Sequence, residues 1–591
     1  MTRLSVQQAM HLATEHHQAG RYAQAEQVYR QILAAAPKYA PAIHMLGVQA
    51  LHAGKVPQAI DLIQQSLAID PNEAFFHYNL GLALIASEQF EKAADAFRQT
   101  IALRPTLAEA HSNLAATLLY LRRFDETLQV CDQARIMNAE NPDIYNVRGA
   151  ALKQTHRYEE ATAAYEQALS MRPDHFDAQM NLAAIRRLQG NLPEAIAGYR
   201  KAVAMRPSQP LAHYQLANAL DDDNQVDAAI DEFEKAIALQ PNYADAECSL
   251  AATLHRVGRY EQAIAACRRG IAISSDVPLL KFNLALMLLL QGQFEEGWQL
   301  HEARWDVDKF KGRQINFLAP RWDGSDLSGK TILLYGEQGY GDTIQFSRYI
   351  SMIRDRGAKV ILGVLPPLVR LFRNFPGVDQ VFAEHNPSMK YDFHYPLMSL
   401  PLMFKTTLET IPAAVRYISA DPLLASQWRK RIPDDPGKPK IGLSWAGRPT
   451  HPGDRLRSLP LASLATLADV PNTWFCSLQK GDAADQANLL PNGFEVTNFS
   501  QQINDFADAA AIIEHLDLVI TVDTATAHLA GAMGKRVWVL LPFVPDWRWM
   551  LGRTDSPWYP TMRLFRQTAP GDWAPVIEAL RQSLIDLHSR M

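Results

Sequence analysis

The chain has 591 residues, 48% of them hydrophobic and 20% charged, and a net charge of −5. That length exceeds what one core serves and predicts about three structural units, while the composition excludes a disordered chain. The negative charge excludes a general attraction to nucleic acid. No apolar run has the length of a signal-peptide core or a membrane span; Leu284–Leu290 is too short, so the chain is not expected to be transmembrane. Cys131, Cys248, Cys267 and Cys476 lack metal-ligand spacing, which points to a reduced, cytoplasmic setting.

From the N-terminus, Pro37, Pro71, Pro105, Pro173, Pro207 and Pro241 fall on a ruler of 34 residues, with Ala139 and Ser275 at its two other marks. Twelve residues before each mark stand Ala25, Ala59, Ala93, Thr127, Ala161, Ala195, Ala229 and Ala263, small enough for two helices to approach closely. Gly20, Gly54, Gly190 and Gly258 mark the turn inside four of the helix pairs, where a positive φ is cheapest as Gly. A period of about 34 with a closing Pro resembles the tetratricopeptide repeat. The resemblance covers roughly residues 6–310, ends in a truncated ninth unit, and implies an α-solenoid over 1–310.

After residue 311 the pattern changes to strand, Gly-rich turn, helix and strand, with the first strand at Thr331–Tyr335. This βαβ unit seeds a doubly wound sheet over 311–430. A proline-rich stretch at 429–439 reads as a linker, and a second α/β half fills 431–591. Two such halves in series suggest a cleft enzyme closing on a nucleotide.

Three motifs in these halves offer chemistry. In 522–534 (VDTATAHLAGAMG) a buried strand ends at Asp523 and Thr524, and a small-residue helix starts at Ala525. Free N–H groups there would cradle a phosphate, with His528 one turn in; the plainer alternative is an ordinary junction with Asp as N-cap. In 444–460, Ser444 and Gly447 lead to Arg448, Arg455 and Arg457, whose forks suit phosphate oxygens, against a solvated basic loop. In 336–349, Gly336, Gly339 and Gly341 allow close ligand approach without forming a Walker loop. Asp342 is there either an N-cap or a general base. Gln479 and Lys480 follow another strand and either reach the nucleotide or form a surface turn.

Residues 311–590 resemble a GT-B glycosyltransferase of the heptosyltransferase type (glycosyltransferase family nine). The resemblance rests on Gly341-Asp342 after a Gly-rich turn, Arg457-Ser458-Leu459-Pro460, and Asp523-Thr524 followed by His528 through Ala532. It implies a metal-independent, inverting transferase that takes a nucleotide-diphosphate sugar and needs no cofactor. Asp342 then matches the catalytic base and Arg457 a phosphate-binding Lys, while Asp523, Thr524, Ala525 and His528 match the diphosphate-binding helix start. The segment 541–567 departs from the family. It clusters Trp547, Trp549, Trp558 and Tyr559 among charged residues, which suits either sugar binding or interdomain packing.

Asn79, Asn113, Asn181 and Asn283 also keep the ruler, with Gln215 at an intervening mark. A row of amides lining the inner groove can bind an extended polypeptide irrespective of its sequence. The layout resembles that of the animal O-GlcNAc transferase. The sequence therefore predicts transfer to a polypeptide acceptor guided by the repeats, with a glycolipid transferase or a non-catalytic scaffold as alternatives; oligomeric state is left open. Asp221–Asp223 lack the rest of a calcium loop, and Asp306 and Asp308 read as solvated charge.

Overall fold

The computed structural model describes residues 5–307, 317, 319–383, 389–435, 437–451, 453–490 and 493–588, and divides into compact units at 1–241 and 242–591. The first unit is a tetratricopeptide solenoid. Its seven helix pairs begin 34 residues apart, at Val6, Ala40, Ala74, Ala108, Pro142, Phe176 and Pro210. The turn inside each pair takes a positive φ at Gly20, Gly54, Glu88, Arg122, His156, Gly190 and Asn224. The repeat thus imposes the left-handed turn even where no Gly is present. Ala25, Ala59, Ala93, Thr127, Ala161, Ala195 and Ala229 are all fully buried between helices.

The second unit begins with two further helix pairs, Ala244–Arg256 with Tyr260–Ile273 and Pro278–Leu290 with Phe294–His301, closed by a 3₁₀ turn at Glu302–Trp305. The compact units therefore divide at 241/242, inside the run of repeats. The reason is packing: Phe294 and Trp298 belong to the same buried cluster as the strand and helix residues that follow. Asp306 is exposed just past the 3₁₀ turn, and Asp308 lies outside the described residues.

Two all-parallel sheets follow. β1 (Thr331–Tyr335), β2 (Lys359–Gly363), β3 (Gln380–Phe382) and β4 (Phe393–Pro396) are ordered β3-β2-β1-β4. The second sheet comprises β5 (Lys440–Ser444), β6 (Trp474–Ser477), β7 (Val496–Asn498), β8 (Leu518–Val522), β9 (Val537–Leu541) and β10 (Met562–Arg566). Its order is β10-β9-β8-β5-β6-β7. β8 and β9 are buried along their whole length, as parallel strands covered on both faces must be. The chain reaches the second half before the proline-rich stretch. The Tyr417 and Ile418 amides donate to the Ala532 carbonyl, and the Trp428 indole donates to Asp508 at 3.2 Å.

Strand order fixes where ligands can bind. In the first sheet the winding reverses beside β1, and in the second between β5 and β8. Such switch points open a crevice at the carboxyl ends of the strands. The Gly336–Gly341 turn follows β1, the Gly447–Arg457 loop follows β5, and Asp523–His528 follows β8.

Candidate functional site

The Gly339–Asp342 turn meets the helix that follows β8. Helix Tyr340–Phe346 starts at Gly339, whose amide donates to the Asp342 carboxylate at 2.8 Å. Asp342 is thus an N-terminal capping residue, but its other oxygen accepts from Arg548. Gly341 faces His528: a Cβ there would stand 2.7 Å from the ring's Cδ2 and 3.4 Å from Nε2. Only a residue without a side chain allows the two helices this approach.

His528 is held from three sides. Its ring stacks on Trp549 at 5.4 Å, and Nδ1 shares a 2.9 Å hydrogen bond with the Tyr559 hydroxyl. Burial, then the Arg548, Arg348 and Arg457 charges, hold its pKa well below the ordinary imidazole value, so the ring is neutral at pH 7. It can offer one N–H, not a cation.

Helix Ala525–Ala532 takes Thr524, not Asp523, as its N-cap, and that side chain makes no capping bond. The Thr524 hydroxyl lies 3.1 Å from that of Thr521 instead. The helix therefore begins with N–H groups that no capping side chain occupies, the arrangement that attracts an anion. Asp523 is buried beside it. Burial, then the neighbouring Asp546 charge, push its pKa up to about 6. Arg457 acts against this shift, which places its charge near Asp523.

The loop after β5 is built on Gly447, whose missing side chain leaves room for Asp454 and Arg457. Arg457 Nε is 3.4 Å from Asp454, a long bond that leaves most of the fork uncommitted. Arg455 is exposed. Gln479 stands behind this loop. Its Oε1 accepts from the Trp445 and Ala446 amides at 3.0 Å each and from the Ser444 hydroxyl at 3.3 Å, while Nε2 donates to two carbonyls. With both ends of its amide engaged, Gln479 shapes the loop. Lys480 donates to the Ser500 carbonyl at 2.7 Å.

Arg548 and Gln345 join the site without having been singled out as site residues in the sequence. Arg548 Nε donates to Gln345 Oε1 at 2.6 Å and Nη1 to Asp546 at 2.8 Å, while Nη2 reaches Asp342. Burial opposes its charge, but Asp546 and Asp342 outweigh that penalty and raise its pKa. Gln345 Nε2 is fully buried without an acceptor. The spacing of Asp342 and Gln345 by three positions on one helix was a readable signal; the reach of Arg548 across 206 residues was not.

The aromatic cluster of 541–567 is packing. Trp547, Trp549, Trp558 and Tyr559 are all buried; Trp547 meets Trp298 edge-on at 5.3 Å and Trp558 meets Phe294 at 6.1 Å. Among the amides of the ruler, Asn79, Asn113 and Asn181 each spend one N–H on the preceding repeat, at His44, Tyr78 and Asn146. Their carbonyl oxygens and second N–H are left for other partners. Gln215 and, in the second unit, Asn283 are half-buried at the same repeat position. Among the described residues no three His, Cys, Asp or Glu side chains gather as a metal site, and no helix is long and apolar enough to cross a membrane.

Residues 16–77, 74–107, 147–210 and 214–278 match tetratricopeptide repeat families, and residues 465–540 match glycosyltransferase family 9 (heptosyltransferase). The chain thus carries tetratricopeptide repeats followed by a glycosyltransferase family 9 region. That pairing supports a glycosyltransferase. The matched region includes Gln479, Lys480 and Asp523–His528 but not Asp342, Arg457 or Arg548.

The chain is similar to protein FlbA of Caulobacter vibrioides (strain ATCC 19089 / CIP 103742 / CB 15), 26% identical over 320 residues, which cover 50% of this chain and 53% of FlbA. It therefore spans about half the length of that curated relative. Among solved structures, the APC/C hetero-tetramer Cut9-Hcn1 matches 45% of this chain and 52% of its own, at 15% identity and a TM-score of 0.36. TTC0263, a thermophilic TPR protein in Thermus thermophilus, matches 31% of this chain and 99% of its own, at 21% identity and a TM-score of 0.28.

Proposed function

We propose that the protein is a metal-independent, inverting GT-B glycosyltransferase that moves a sugar from a nucleotide-diphosphate sugar to a polypeptide acceptor. The observation that carries this reading is the meeting of two switch-point motifs, Gly339–Asp342 after β1 and Asp523–His528 after β8, with Gly341 against the His528 ring. A donor lying between them has its diphosphate at the uncapped helix start of Thr524 and Ala525, with Arg457 beside it. The neutral His528 contributes a hydrogen bond, and Ser444, Gly447 and Gln479 shape the loop that closes over the nucleotide.

Asp342 is the base. Its carboxylate takes the proton of an acceptor hydroxyl or amide as that atom bonds to the anomeric carbon. The bond from that carbon to the diphosphate breaks, and the electron pair leaves with the diphosphate. Attack opposite the leaving group inverts the anomeric centre. In this reading the charge of the leaving group is met by Arg457, Arg548 and helix N–H groups, and the half-engaged amides of Asn79, Asn113 and Asn181, with Gln215 and Asn283 at the same repeat position, hold the polypeptide.

The test is release of nucleoside diphosphate from a panel of UDP-, GDP-, ADP- and TDP-sugars, with and without unfolded polypeptide. Loss of turnover in both Asp342→Asn and His528→Ala is expected. Unchanged turnover in both variants refutes the assignment. Deleting residues 1–241 separates the acceptors: a polypeptide transferase loses transfer but keeps slow donor hydrolysis, whereas a saccharide transferase keeps both.

A further inference from the structure

The last repeat touches the catalytic turn from two sides. Arg304, in the 3₁₀ turn after helix Phe294–His301, is fully buried and donates a fork to Glu337 at 2.8 and 3.0 Å. The same guanidinium reaches Glu302 at 2.6 Å and Ser399 at 2.7 Å. Glu337 lies in the turn after β1, two residues before the Gly339 amide that binds Asp342. On the other side, Trp298 sets its indole N–H on the Thr406 carbonyl at 3.0 Å and packs edge-on against Trp547. Trp547 is followed directly by Arg548, which holds the second oxygen of Asp342.

Both oxygens of Asp342 thus trace back to the last repeat, through Arg304 in its closing 3₁₀ turn and Glu337 to the Gly339 amide, and through Trp298 in its second helix and Trp547 to Arg548. Further contacts tie the same segment to repeat turns. A Cβ on Gly292 would stand 2.9 Å from Met550, and one on Gly258 3.2 Å from Phe543. Met550 itself is held at a φ of 53°, a conformation that costs energy in a non-glycine residue and persists only where its surroundings impose it.

We propose that the last repeat is a positioning element of the transferase site, with Arg304 and Trp298 fixing the geometry of Asp342. The inference rests on the transferase reading above, and deepens it: the final repeat is part of the enzyme, not only a guide for its acceptor. Neither residue touches the reacting atoms; each acts through a neighbour, so its loss should lower turnover more than donor affinity.

The experiment uses the full chain with Arg304→Lys, which keeps the charge but cannot reproduce the fork, and Trp298→Leu, with Trp298→Phe as the conservative variant. Hydrogen exchange without ligand should rise at least fivefold at 336–346 in Arg304→Lys and at 546–551 in Trp298→Leu, with β8 and β9 unchanged. Steady-state kinetics on the donor found in the panel should show kcat falling at least tenfold with KM within threefold, and Trp298→Phe should recover most of it. Exchange that stays unchanged, or rises uniformly across the unit, overturns the proposal; so does a loss confined to KM. If the wild-type chain turns over no sugar nucleotide, the transferase reading fails, and the exchange pattern alone decides whether the repeat holds this turn.

Discussion

Asp523 carries a cost that can be removed. Its carboxyl is buried at the end of β8 with Asp546 as a neighbour, and its pKa stands at about 6 against an ordinary 3.8. Burial and the Asp546 charge both penalise the ionised carboxyl, so the folded chain is destabilised wherever Asp523 is charged. The sign follows from which state holds the proton. Between pH 4 and pH 6 the folded chain keeps it and the unfolded chain does not, so stability falls as pH rises through this window and the loss is complete above it. Asp523→Asn removes the ionisation and should stabilise the second unit at pH 7.5, with little gain near pH 3.5. All 11 Trp residues lie at or beyond Trp298, so urea unfolding followed by Trp fluorescence reports on this unit alone. Turnover should drop in the same variant, because a residue kept at such a cost serves the site and not the fold. A gain that does not change between pH 4 and pH 7.5 would show that the ionisation of Asp523 does not set this stability.

Gly341→Ala should cost about 1–3 kcal/mol and at least a tenfold loss in turnover, because the His528 ring it meets is fixed by Trp549 and Tyr559; urea unfolding and donor turnover measure the two effects. Gln479→Leu should destabilise the second unit by about 2 kcal/mol, since the Trp445 and Ala446 amides lose their shared acceptor, and the same urea assay reads it. His528, held neutral by burial and by the Arg548, Arg348 and Arg457 charges, should show no titration between pH 6 and pH 8 in the spectrum of histidine-labelled protein.

The solenoid was legible because its rules are local. A 34-residue ruler fixed every helix start, and even the turns at Glu88 and His156, which lack Gly, took the conformation the spacing required. The two sheets were legible from buried strands ending in Gly-rich or Asp-Thr turns. What the sequence hid was long-range. Nothing local told that Arg548 would reach Asp342, or that Trp547 and Trp558 would be taken up by Trp298 and Phe294 instead of facing a sugar. Gln479 was legible only as a polar residue after a strand; that its amide closes the neighbouring loop is visible only once β5 and β6 pair. The division into compact units was hidden for the same reason: repeat periodicity continues past residue 241, while the packing that ties the last repeats to the sheets does not follow the period.

In the proposed transfer, Asp342, set by Gly339 and Arg548, serves as the base. The direct measurement is transfer of labelled sugar from the preferred nucleotide-diphosphate donor by the full chain, wild type against Asp342→Asn, with donor affinity measured alongside. The variant is expected to bind donor within about threefold of wild type and to lose at least a hundredfold in transfer, within the roughly 10²–10⁴ range of a general base. A variant that binds donor and transfers sugar at the wild-type rate would contradict it.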